Sequence, residues 1–78
     1  MSSVSNTLAQ HVAAELRAQK ARRRLSDVEI ARRLGVGETW VGRRMTGRVP
    51  ITLDDLDELC EVLEILPIEL MPDAVRAA

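Results

Sequence analysis

Two short patterns at the starts of apolar runs, Ser26 with Glu29 and Thr52 with Asp55, do most to restrict what this 78-residue chain can become. Each sets a hydroxyl three positions ahead of a carboxylate. The hydroxyl then accepts the backbone N–H of the third helical residue, and the carboxylate accepts that of the capping residue. One helix therefore starts near Asp27 and another near Leu53. The first carries Ile30, Ala31 and Leu34 on a narrow stripe and stops at Gly35, a residue suited to the left-handed conformation of a helix end. The second carries Leu53, Leu56, Leu59, Cys60 and Leu63 at helical spacing.

The other segments read the same way. Residues 6–23 place Leu8, Val12 and Leu16 at intervals of four, with Ala9 and Ala13 beside them, and end in Arg22, Arg23 and Arg24, where cations suit a helix C-terminus. Gly37 opens a short third helix whose buried seam is Val41 and Met45, while Glu38, Thr39, Gly42, Arg43 and Thr46 fall on the other side. Pro67 starts a last turn over 68–71, and no alternating strand pattern occurs. The chain is thus expected to be all-α, with one domain over 6–71 between a flexible tail at 1–5 and a second tail at 72–78. A core this small supplies only about 3–5 kcal/mol.

Composition narrows the function. One His, one Cys and one Trp, with no Phe or Tyr, leave no cysteine metal cage, no intrachain disulfide and no aromatic platform for stacking bases. His11 has no second His, Cys or Ser–Asp pair to work with and is expected at the surface, and Cys60 is expected as a buried thiol. No catalysis, cofactor, metal or small-molecule substrate is expected. The longest apolar run, Val12 to Ala14, is far short of the ~20 residues of a membrane span, and no charged-then-apolar leader opens the chain. A soluble, cytoplasmic protein is expected, and a lone cysteine agrees with a reducing compartment.

The net charge of −1 hides a division along the chain. Residues 1–48 carry ten basic against four acidic side chains, and residues 49–78 carry one against eight. A cationic half of this kind attracts a polyanion through summed Coulomb terms and counterion release. Asp54, Asp55, Asp57, Glu58, Glu61 and Glu64 read as a solvated face of the fourth helix, and Arg17, Lys20, Arg22 and Arg76 as solvated cations.

The stretch LSDVEIARRLGVGETWVGRRMTG, residues 25–47, resembles the helix-turn-helix of the phage repressor and Cro (XRE-like) family. Ala31 stands at the family's small position, Gly35 at its turn, and Ile30, Leu34, Val36 and Val41 at its apolar positions. The resemblance extends over residues 8–71, and WVGRRMTG is similar to a subgroup of bacterial and phage regulators with Trp-Val-x-Arg-Arg in this helix.

The resemblance implies a compact five-helix, lambda-repressor-like domain. Its helix-turn-helix would span about 26–46 and its recognition helix about 38–46. A helix 10–12 Å across fits the ~12 Å major groove, where base edges present distinguishable donors and acceptors. Base contacts are implied for Glu38, Thr39, Gly42 and Arg43, with Arg43 two-pronged to guanine. Backbone contacts are implied for Ser26, Asp27, Trp40, Arg44, Thr46 and Arg48, with Trp40 either lying along the sugar-phosphate backbone, its indole N–H donating to a phosphate, or packing on Arg44 four residues later. Asp27 stands where the family commonly carries Gln and needs Arg23 or Arg43 to neutralise it beside a phosphate. Arg44 stands where members bury an aliphatic side chain, and Arg24 where the loop often has Gly.

The implied partner is an operator in double-stranded DNA within a bacterial or phage-infected cell. A weak homodimer is expected to form through Ile68, Leu70, Met71 and the exposed side of the fourth helix. A rival reading is an antitoxin-like or accessory protein-interaction module that uses the acidic fourth helix.

Overall fold

A computed structural model describes residues 7–77. The chain runs through α1 (Leu8–Arg22), α2 (Asp27–Leu34), α3 (Glu38–Met45), α4 (Leu53–Leu63), a 3-10 turn at Pro67–Leu70, and α5 (Asp73–Arg76), with no strand among the described residues. No helix there is long and apolar enough to cross a membrane. The tail expected over 1–5 and the expected helical start at residue 6 lie outside the described residues.

Both expected capping boxes are formed. The Ser26 hydroxyl accepts the Glu29 N–H at 3.1 Å, and the Thr52 hydroxyl accepts the Asp55 N–H at 3.0 Å. A third box starts α1: the Gln10 side chain accepts the Thr7 N–H at 2.9 Å, and Thr7 Oγ1 accepts the Gln10 N–H at 3.1 Å. Such caps satisfy orphan N–H groups and contribute about 1 kcal/mol each.

The helices close over one core. Leu16 of α1, Ile30 of α2, Val41 and Met45 of α3, Leu59 and Leu63 of α4, and Leu70 of the turn are all fully buried. At about 1.5–3 kcal/mol for each buried aliphatic side chain, this cluster is the main term opposing chain entropy. α2 packs against α3 and α4, and α1 packs against α3 and the 3-10 turn. Ala31 lies 4% exposed within this core.

Several expectations are corrected at the edges. Leu53 is 83% exposed and Leu8 53%, because the first turns of α4 and α1 run past the rim of the core. Leu70 is enclosed and leaves the expected dimer surface. His11 is half-buried, with its Nε2 covered and without a hydrogen-bond partner. Asp55 is a buried carboxylate rather than part of the solvated acidic face. Residues 73–76, expected as tail, form a helical turn after Pro72.

Chain reversals use the left-handed region at Gly35 (φ 74°) and Gly47 (φ 80°), and also at two residues that carry a Cβ, Arg24 (φ 54°) and Glu64 (φ 58°). Gly35 lets its own N–H and that of Val36 both donate to Ala31 O, at 2.8 and 3.0 Å. Arg24 and Glu64 are exposed, so their cost is conformational, about 1–2 kcal/mol each. Glycine removes that cost but gives back roughly 0.4–1 kcal/mol of unfolded-state entropy. Arg24→Gly and Glu64→Gly are each expected to raise stability by about 0.5–1 kcal/mol in urea titrations. A loss of stability in both variants would refute this account.

Candidate nucleic-acid interface

α3 is amphipathic over two turns. Val41 and Met45 point into the core, Trp40 is half-buried, and Glu38, Thr39, Arg43 and Thr46 face outward. Thr39, Gly42, Arg43, Thr46 and Arg48 together line one shallow surface depression. The structure thus gathers three of the four expected base contacts with two of the expected backbone contacts. Glu38 is exposed at the first turn of α3 but does not line the depression. Among the described residues neither Arg43 nor Arg48 has an ion-pair partner.

The end of α3 is held firmly. Gly42 O accepts the Thr46 N–H at 3.0 Å, Arg43 O the Val49 N–H at 3.2 Å, and Arg44 O the Gly47 N–H at 3.2 Å. Met45 O accepts from the Arg17 guanidinium at 2.5 Å, which ties α1 to the end of α3. The last four carbonyls of a helix lack intrahelical partners by construction, and here every one is satisfied. Arg17, expected as a solvated cation, is therefore a brace. Periodicity gives no sign of it because its acceptor lies 28 residues away.

Arg44 requires a correction. Its Nε donates to Asp55 Oδ2 at 3.0 Å, its Nη1 donates to Trp40 O at 3.2 Å, and its guanidinium carbon sits 4.0 Å from the centroid of the Trp40 ring. A guanidinium so placed holds α3 on α4 through its Nε and Nη1. The pair is largely enclosed, with the two side chains 17% and 12% exposed. Trp40 supplies the face of this stack, packing on Arg44 four residues later.

The exposed Thr46 hydroxyl donates to Gly42 O at 3.0 Å. The Ser26 hydroxyl oxygen is taken by the Glu29 N–H, but the residue is exposed and its hydroxyl proton remains available.

Asp27 is neutralised neither by Arg23 nor by Arg43. Lys20 Nζ lies 2.7 Å from its Oδ1, while Arg23 donates to Gln19. Gly42 faces the same carboxylate: a Cβ there would sit 3.5 Å from Asp27 Oδ2. On α4, Asp54, Asp57, Glu58 and Glu61 are exposed, as is the following Glu64. Cys60 is buried, and burial first, then Asp57 and Glu69, raises its thiol pKa, so it stays protonated at neutral pH.

A tight turn joins α2 to an α3 whose polar face is open to solvent, and these define a helix-turn-helix protein. The chain belongs to the helix-turn-helix domain family, whose profile matches residues 11–73. Its fold is similar to that of the clp gene regulator ClgR from C. glutamicum, with a TM-score of 0.81 and 19% identity over 94% of this chain and 95% of that one. It is also similar to the hypothetical transcription factor NHTF from Neisseria, with a TM-score of 0.74 and 24% identity over 88% of this chain and 79% of that one. No curated protein matches the chain in sequence.

Proposed function

We propose that this chain is a sequence-specific double-stranded DNA-binding transcriptional regulator. In this reading it is a repressor or Cro-like regulator of a bacterial or phage genome, works in the cytoplasm and acts by occluding a promoter. The observation that carries the reading is the depression on α3, where Arg43 and Arg48 stand beside Thr39 and Gly42 without ion-pair partners among the described residues. Arg43 reads a guanine through two parallel N–H donors, Thr39 and Glu38 contact neighbouring base edges, and Arg48 and the N-terminus of α2 at Ser26 hold phosphates. The acidic face of α4 is directed away from the DNA.

Two copies occupy half-sites about 34 Å apart on a near-palindrome. With Leu70 enclosed, exposed Leu66, Ile68 and Val75 and part-exposed Met71 remain near the 3-10 turn for a second copy, beside the exposed side of α4. Pairing is therefore weak in solution and set by the spacing of half-sites on the DNA.

The test is selection of bound duplexes from a random library at roughly physiological salt, with Arg43→Ala in parallel. An enriched motif is expected, with a guanine whose preference Arg43→Ala relaxes by roughly 5- to 150-fold while other positions hold. Affinity should also fall steeply with salt. Absence of any enriched motif from a folded protein would overturn the reading and favour a partner-binding module built on α4.

A further inference from the structure

We propose that Asp27 reads a base: its Oδ2, which borders Gly42 with no side chain between them, in a carboxylate held through Lys20, accepts a hydrogen bond from an exocyclic amino group in the major groove. The inference rests on the DNA-binding reading of α3 and adds to it a specificity-determining residue from α2.

The geometry starts at Gly42. A Cβ at residue 42 would lie 3.5 Å from Asp27 Oδ2, in ordinary van der Waals contact with it. Gly42, which lines the depression together with Thr39 and Arg43, places no side chain beside that oxygen; Asp27 itself borders Gly42 and does not line the depression. The second observation is the state of the carboxylate. Oδ1 is taken by Lys20 Nζ at 2.7 Å, and the two side chains are 25% and 26% exposed, so the carboxylate is held in one place and Oδ2 keeps its lone pairs. Asp27 is also the first residue of α2, where a negative charge is stabilised by the helix N-terminus.

What such an oxygen can bind follows from its chemistry. An ionised carboxylate accepts and cannot donate, so it gains nothing from a phosphate oxygen and is repelled by it. The base-edge donors that the major groove offers are the cytosine N4 and adenine N6 amino groups. Adenine sets the N7 acceptor beside its N6, and the lone pairs of the carboxylate oppose it. Cytosine has no acceptor on that edge, so cytosine is the favoured base. Lys20 keeps two further N–H donors, which suit the phosphate flanking that base and offset the charge that Asp27 brings into the groove.

Duplex selection with the full chain, with Asp27→Asn and with Asp27→Ala tests this directly. The unaltered protein is expected to enrich a motif with cytosine at one position beside those set by Arg43. Asp27→Asn should shift that position from cytosine toward adenine, since an amide matches the N6 donor and N7 acceptor together. Asp27→Ala should relax the same position by roughly tenfold or more, with the rest of the motif unchanged.

If the unaltered protein selects adenine at that position and both variants lose it, the role of Asp27 stands with adenine as the base read. If both variants keep the full motif and only shift affinity uniformly, Asp27 is a backbone or structural group, and this inference falls while DNA reading by α3 stands. If the unaltered protein enriches no motif, the DNA-binding reading itself fails and takes this inference with it.

Discussion

Asp55→Ala is expected to lower stability by about 3 kcal/mol and to release α3 from α4. The same carboxylate accepts the Arg44 Nε–H at 3.0 Å and the Thr52 N–H at 3.1 Å, and so serves an ion pair and a capping box at once. Removing one partner of a buried pair costs ~3–5 kcal/mol, and a lost cap ~0.5–2 kcal/mol. The sum is reduced here because 17% of the Arg44 side chain still reaches water and its stack on Trp40 persists. Against a total of about 3–5 kcal/mol, the variant sits near its own unfolding midpoint. Urea titration followed by helical circular dichroism measures this, and a change under about 0.5 kcal/mol would show that the pair contributes nothing.

The same residue sets an acid limit. Burial alone would raise the Asp55 pKa, but hydrogen bonds from the Thr52 N–H, the Arg44 side chain and the Thr52 hydroxyl, with the nearby positive charge, outweigh it and hold the group below its ordinary 3.8. A carboxyl whose folded pKa lies below its unfolded one contributes stability that is complete above the unfolded value and is lost as pH falls through the folded value. The Asp55 contribution is therefore full at neutral pH and declines below about pH 4. Asp55→Asn should remove that part of the acid dependence.

Leu16→Ala is expected to leave the free chain largely unfolded at 25 °C. Leu16 is fully buried among Ile30, Val41, Met45, Leu59 and Leu63, so truncation removes transfer free energy and leaves a cavity, together ~2–5 kcal/mol. That range matches the whole stability of a domain this small. A duplex recovered by selection should restore the helical signal, since ligand at a hundredfold its Kd adds about 2.7 kcal/mol to the folded state. Leu53→Ala is the control: at 83% exposure it should stay within about 0.5 kcal/mol of the parent. Retention of full helicity and a cooperative transition by Leu16→Ala would mean that the core tolerates the cavity.

What could be read from the residues was local. Ser26 with Glu29 and Thr52 with Asp55 announce helix starts because their hydrogen bonds span three residues, and Gly35 announces a stop because its conformation belongs to one residue. The seam of Val41 and Met45, and with it the outward face of α3, follows from helical period alone. What escaped was set in three dimensions. The Arg44–Asp55, Lys20–Asp27 and Arg17–Met45 contacts span 11, 7 and 28 residues, and no period or box encodes them. These contacts decide which charged groups are engaged within the protein: Arg44 and Lys20 are paired with carboxylates, while among the described residues Arg43 and Arg48 have no ion-pair partner. Leu53 fits the stripe of α4 yet is exposed, because periodicity gives a direction and not the extent of the neighbour. Thr7 with Gln10 was missed because Gln in place of an acid carries no charge signal.

The four satisfied carbonyls at the end of α3 bear on the character of any docking event. A helix whose C-terminus is tied to its own loop and to α1 has its order established during folding. Little conformational entropy is left to lose when that face meets another surface, and association becomes a rigid-body encounter rather than a folding reaction. The free energy gained at α3 then goes into discriminating one surface from another.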